Sequence, residues 1–286
     1  MKIFFELINF LTLDNSFKNF VFYSEGKHNW PHLKGLIKEL IRLENKVTIL
    51  TSDINDPCFR EKHKNLVTFY IGMGHFRSWL FKNLDVNILI TTTPDIETYQ
   101  LKRSRYNVHY VYVQHSLISL HMGYRHGAFN HFDSIFCSGV HHIKEMKEIE
   151  KLYKLKKKQL YEHGYSRIDN LIKNNKTKKY NYQKVKNILI APTWGSKGLI
   201  ESKSIEIILK KLNKKELNIF LRPHPETWKR KEEYINDLSK NNIFNFVIDK
   251  TIDNDELLMK CDILITDWSG IGFEFALGLK KPVIFL

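Results

Sequence analysis

Asp262-Ile263-Leu264-Ile265-Thr266-Asp267-Trp268-Ser269-Gly270-Ile271-Gly272-Phe273-Glu274 is the stretch on which the fold is decided. An apolar run with no polar alternation ends in Thr-Asp, and a serine and two glycines then open a helix. Absence of alternation marks a strand covered on both faces, and a strand that feeds directly into a helix belongs to a parallel sheet.

The same grammar repeats outward in both directions. Upstream, Phe20–Ser24, Lys46–Thr51, Leu66–Ile71, Val86–Thr91, His109–Val113 and Ser134–Cys137 are short apolar runs. Helical spacings lie between them, as in Pro31–Leu43, where Leu33, Leu36, Ile37, Leu40 and Ile41 recur at three and four residues. A second series comprises Ile188–Ala191, Leu217–Arg222, Phe246–Ile248, Asp262–Thr266 and Pro282–Leu286, with helix patterns at Ile205–Leu212 and Asp255–Cys261. Between the series, Lys173–Lys186 is rich in lysine and asparagine and reads as a linker. The expectation is α/β: a Rossmann-like domain over 1–172, a linker over 173–186 and a second Rossmann-like domain over 187–286, two doubly wound domains facing a central cleft. The chain stops inside an apolar strand at Val283-Ile284-Phe285-Leu286, from which the second domain is expected to be truncated.

The 286 residues suffice for two cores. With 43% hydrophobic and 27% charged residues, wholesale disorder is excluded. Three widely spaced cysteines, Cys58, Cys137 and Cys261, form no metal-binding or disulfide pattern, which fits a reducing cytoplasm. No apolar stretch reaches membrane-spanning length. The net charge is +14, carried by 36 lysines and only 9 arginines. Such a skew arises from genomic nucleotide bias or from attraction to an anionic partner such as a membrane face. The low arginine share and the lack of a recognisable motif argue against nucleic acid.

Candidate chemistry sits where strands end. Tyr110–Val113 runs into Gln114-His115-Ser116, which puts His115 on the rim where parallel sheets bind ligands, either as a general base or as a histidine bonded within its loop. After the strand ending at Leu221, two prolines stiffen Arg222-Pro223-His224-Pro225, offering preorganised cations to a phosphoryl group or simply a rigid surface loop. In the opening stretch, Ser269 is expected to cap the helix, leaving N–H groups from Gly270 onward for phosphate oxygens. Glu274, one turn in, is expected to accept from ribose hydroxyls. The competing reading is a plain capped turn, and the G-x-G is not a dinucleotide fingerprint because its glycines follow the cap. Thr193 lines another strand exit, Ile190-Ala191-Pro192-Thr193-Trp194-Gly195. Arg125 and His126, within Tyr124-Arg125-His126-Gly127-Ala128-Phe129, are either acceptor contacts or part of a surface loop. His141 and His142 are adjacent on a helix, where neighbours cannot share one metal face, so no metal site is expected there.

Taken in order, Val113-Gln114-His115, Gly164-Tyr165-Ser166-Arg167-Ile168-Asp169, Ala191-Pro192-Thr193-Trp194, Arg222-Pro223-His224-Pro225 and Thr266-Asp267-Trp268-Ser269 with Phe273-Glu274 resemble the CDP-glycerol glycerophosphotransferases that build teichoic-acid-like polymers and some capsules. The resemblance covers roughly residues 85–286. It departs at Ser116, where the family usually has glycine, and at Trp268-Ser269-Gly270, where the family commonly has Tyr-Ser-Ser. It implies a GT-B-type transferase in which His115 is the base, Arg222 and His224 steady the pyrophosphate and departing CMP, and Thr266, Asp267, Ser269 and Glu274 hold the nucleotide.

The implied reaction moves glycerol phosphate from CDP-glycerol to a hydroxyl of a cell-surface polymer or its lipid-linked precursor, with no cofactor, at the inner face of the membrane. Two other readings stay open: a nucleotide-sugar glycosyltransferase or epimerase of surface-polysaccharide synthesis, and a truncated remnant that is inactive or only binds.

Overall fold

A computed structural model describes residues 2–99, 101–175, 185–213, 216–240, 243–250 and 255–286. The chain divides into two compact units, Met1–Ser166 and Arg167–Leu286.

The first unit is a seven-stranded sheet in the order β3-β2-β1-β4-β5-β6-β7. Its strands are β1 (Phe20–Ser24), β2 (Val47–Thr51), β3 (Leu66–Tyr70), β4 (Ile88–Thr91), β5 (His109–Val113), β6 (Ser134–Cys137) and β7 (Gln159–Glu162), and every pairing is parallel. Its helices are α1 (Lys2–Leu11), α2 (Trp30–Arg42), α3 (His75–Lys82), α4 (Leu120–Gly123) and α5 (Val140–Leu152). Successive strand residues enter opposite cores. Val21, Tyr23, Leu89, Tyr110 and Tyr112 pack with Leu7 and Phe10 of α1, Leu80 and Phe81 of α3 and Met146 of α5. Phe22, Ile90, Val111 and Val113 pack with Trp30, Leu33 and Ile37 of α2. Two apolar faces per strand explain the missing alternation in the sequence.

The second unit has five parallel strands, β8 (Asn187–Ile190), β9 (Asn218–Leu221), β10 (Val247–Ile248), β11 (Ile263–Thr266) and β12 (Val283–Phe285), in the order β10-β9-β8-β11-β12. Its helices are α6 (Ser166–Asn174, which begins at the last residue of the first unit), α7 (Ser204–Leu212), α8 (Pro225–Lys240), α9 (Asp255–Lys260) and α10 (Ile271–Phe273), the last continuing as a π-turn over Glu274–Gly278. Ile188, Ile190, Ile219 and Leu221 meet α7 and α8 on one face. Leu189 and Leu264 meet Leu171 of α6, Leu258 of α9 and Phe275 on the other.

The boundary differs from the expected end of the first domain at 172. Leu171 is fully buried in the second unit's core, and Arg167 pairs with Asp255 and Glu274, so α6 packs with the second unit. Most of the expected linker, residues 176–184, lies outside the described residues.

Each unit has one point where the strand order reverses, between β1 and β4 in the first and between β8 and β11 in the second. Open parallel sheets bind ligands beyond the carboxyl ends of strands at such points.

Candidate active site

In the first unit β5 delivers His115 just past its carboxyl end. The ring Nδ1 lies 2.9 Å from the hydroxyl of Tyr112, which is wholly buried three residues earlier on the same strand. Tyr165 donates its hydroxyl to the His115 carbonyl at 3.0 Å, fixing the backbone from another element. The His32 ring, in the first turn of α2, stands edge-on to His115 at 5.9 Å and tilts against Tyr165 at 5.6 Å. Behind Tyr112, the hydroxyls of Tyr112 and Tyr124 and the Gln114 amide form a continuous chain. Burial pushes the Tyr112 phenol well above its ordinary range and the Tyr124 phenol up to about 12, so both stay neutral.

The residues expected on the acceptor side are engaged elsewhere. Arg125 binds Asp95 at 2.8 Å and the Thr98 hydroxyl, and His126 packs edge-on to Tyr153 at 4.2 Å. His142 is a structural residue. Its Nδ1 accepts from the Ser138 N–H, its Nε2 lies 2.9 Å from the Ile118 carbonyl, and desolvation lowers its pKa. Among the described residues no group of three or more His, Cys, Asp or Glu side chains is arranged to hold a metal ion.

In the second unit the loops leaving β8 and β11 are tied together across the reversal point. Thr266 donates its hydroxyl to the Ala191 carbonyl at 2.7 Å. The Asp267 carboxylate accepts from the Thr193 N–H at 2.7 Å and the Leu199 N–H at 3.4 Å. Asp267 is 1% exposed, and desolvation raises its pKa against the opposing pull of those N–H groups. Thr266 and Asp267, both expected to touch the nucleotide, tie the two loops of the crevice together.

Ser269 is not the helix cap. Gly270 takes that position, the Gly272 N–H bonds the Ser269 carbonyl, and the Phe273 N–H bonds that of Gly270, so the helix starts one residue later than expected. Ser269, Gly270 and Thr193 are half-buried at the rim. Glu274 is buried, and its carboxylate accepts from Arg167 Nε at 2.7 Å, while Arg167 Nη2 reaches Asp255 at 3.0 Å. Glu274, expected to accept from ribose, thus holds an ion pair with Arg167.

From β9, Arg222 emerges buried and donates through Nε to Asp249, just past β10, at 2.5 Å. This contact fixes the plane of the guanidinium. His224 Nδ1 accepts from the Glu226 N–H at 3.1 Å. Its ring lies 6.2 Å from that of Trp194, which the Arg230 guanidinium also approaches at 4.8 Å. Sequence reasoning missed His32, Tyr112, Asp249 and the pairing of Arg167. Tyr165 and Arg167 were visible only as members of a matching segment, without a role.

Two doubly wound parallel units in one chain define the GT-B-like fold class, and solved structures agree. Methanocaldococcus jannaschii UDP-GlcNAc 2-epimerase, in complex with UDP-GlcNAc and UDP, superposes with a TM-score of 0.61 at 15% identity, covering 94% of this chain and 83% of its own. S. aureus MnaA, in a co-structure with UDP, gives 0.63 at 15% identity, covering 94% and 79%. At that identity the likeness concerns the fold alone.

The sequence carries the match further. The chain belongs to the CDP-glycerol:poly(glycerophosphate) glycerophosphotransferase family, whose sequence model matches residues 59–286. The teichoic acid glycerol-phosphate primase of Bacillus subtilis (strain 168) is 33% identical over 146 residues, 48% of this chain. The aligned part spans 35% of the length of that relative.

Proposed function

We propose that this chain transfers glycerol phosphate from CDP-glycerol to a hydroxyl of a cell-surface polymer or its lipid-linked precursor. The observation that carries the reading is His115 at the carboxyl end of β5, held by Tyr112 and Tyr165 inside the segment that the family model matches. His115 takes the proton of the acceptor hydroxyl. The resulting oxygen attacks the β-phosphorus of CDP-glycerol, and the bond from that phosphorus to the bridging oxygen breaks, so that CMP departs with the electron pair. Phosphoryl transfer of this kind rests on positioning and charge stabilisation rather than covalent catalysis. Arg222, oriented by Asp249, and His224 supply that stabilisation, while Ser269, Gly270 and Thr193 approach the nucleotide.

The charge of +14 supports work at an anionic membrane face, where each lysine near the surface adds on the order of 1 kcal/mol. Among the described residues no helix is long and apolar enough to cross a membrane. The test is CMP release from CDP-glycerol, with UDP-sugars offered in parallel. His115→Ala is expected to lower turnover by roughly 10²–10⁴-fold, the usual contribution of a general base. Full turnover without His115 refutes its role, and UMP or UDP release in place of CMP refutes the donor.

A further inference from the structure

The hydroxyl chain behind His115 has a direction. Tyr124 donates to the Gln114 amide oxygen at 2.9 Å, and Tyr112 donates to the Tyr124 hydroxyl at 3.4 Å. An amide oxygen only accepts, and each phenol owns one hydrogen. Counting from the amide, the Tyr124 hydrogen is committed to Gln114 and the Tyr112 hydrogen to Tyr124. With its hydrogen directed at Tyr124, Tyr112 offers His115 a lone pair, and the contact at 2.9 Å then places the ring hydrogen on His115 Nδ1. In the neutral ring that leaves Nε2 as the acceptor.

We infer that Tyr112, Tyr124 and Gln114 are positioning residues that hold His115 in the Nδ1–H tautomer, making Nε2 the atom that receives the acceptor's proton. A free histidine side chain prefers the other tautomer, so the chain of hydroxyls has a preference to overcome. Buried carboxylates perform the same service in hydrolytic triads; here two neutral phenols and an amide do it without adding charge. His224 has the opposite arrangement. Its Nδ1 accepts from the Glu226 N–H, which places the hydrogen of the neutral ring on Nε2.

The assignment of Nε2 as base rests on the proposed function, whereas the tautomer does not. The experiment is therefore 15N NMR of the full chain with ring-labelled histidine, His115 being assigned by the signal lost in His115→Gln. The expected wild-type spectrum shows a protonated Nδ1 and a pyridine-like Nε2 for neutral His115. In Tyr112→Phe, which keeps the ring packed against Phe129 and Phe132, the populations shift toward Nε2–H. Tyr124→Phe shifts them in the same direction. Turnover in Tyr112→Phe falls about 10- to 100-fold at unchanged donor KM, part of what a general base contributes.

A wild-type His115 already protonated on Nε2 overturns the inference, because Tyr112 then donates its hydrogen to Nδ1 and none is left for its 3.4 Å contact with Tyr124. A tautomer indifferent to both phenol variants overturns it as well. An Nδ1–H ring that responds to Tyr112→Phe, in a protein releasing no CMP, upholds the positioning and refutes the donor.

Discussion

Removing Arg167 tests the second unit most sharply. Its guanidinium bridges Glu274 at 2.7 Å and Asp255 at 3.0 Å, and the side chains of Arg167, Glu274 and Asp255 are 12%, 11% and 21% exposed. Arg167→Met keeps the packing stem and deletes the charge, leaving the Glu274 carboxylate buried without its guanidinium. Breaking a buried pair from one side costs about 3–5 kcal/mol. With a urea m-value of about 2 kcal/mol/M for a unit of this size, the midpoint should fall by about 1.5–2.5 M. Urea titration followed by far-UV circular dichroism measures it. The double variant Arg167→Met/Glu274→Met should recover most of the loss, since an apolar pair of similar volume often replaces a buried ion pair without penalty. A midpoint shift below about 0.5 M in the single variant would refute the reasoning, showing that water compensates the carboxylate.

Other outcomes follow from the same geometry. Asp267→Asn turns an amide nitrogen toward one of the N–H groups of Thr193 and Leu199, and should cost about 1–3 kcal/mol and weaken nucleotide binding, read by denaturation and by titration with CDP. The raised pKa of Asp267 means the folded state holds its proton more tightly, so its contribution to stability grows as pH falls toward 4; relative to Asp267→Asn, the wild type should gain stability on acidification. Asp133 behaves oppositely: burial raises its pKa, but the Tyr110 N–H and Arg103 outweigh it, so its contribution is present above the unfolded value and lost as pH falls through the lowered one. Asp133→Asn should flatten that acid limb. In Gly278→Ala the new methyl would stand 2.9 Å from Cβ of fully buried Leu171, and a thermal melt should show about 1–3 kcal/mol of overpacking.

How much of this was legible depended on how local each signal was. The runs Phe20–Ser24, His109–Val113 and Ser134–Cys137 are β1, β5 and β6 with the same ends, because unbroken apolar pentads and tetrads have few alternatives. Strand β7 was not read: it is an edge strand whose residues are mostly exposed, and it follows the lysine run at 154–158. The position of His115 at a strand exit was readable from its neighbours. The hydroxyl behind it was not, since Tyr112 reads as one more core aromatic. The partners that Asp267 and Glu274 find within the fold were not legible, for a shared reason. A carboxylate in a turn after a strand looks like a ligand contact, while the groups that consume it lie far off in sequence, 74 residues away at Thr193 and 107 at Arg167.

The tie between the two loops of the second unit also has a kinetic face. Loops at a ligand rim usually draw on the least stable part of a fold, and ordering them on binding carries an entropic cost. Here the Thr193 and Leu199 amides already bond Asp267, and Thr266 already holds the Ala191 carbonyl. Those two amides should exchange their hydrogens slowly before any nucleotide arrives, and binding should slow them little further. The two walls of the crevice are then joined at folding, before anything binds there.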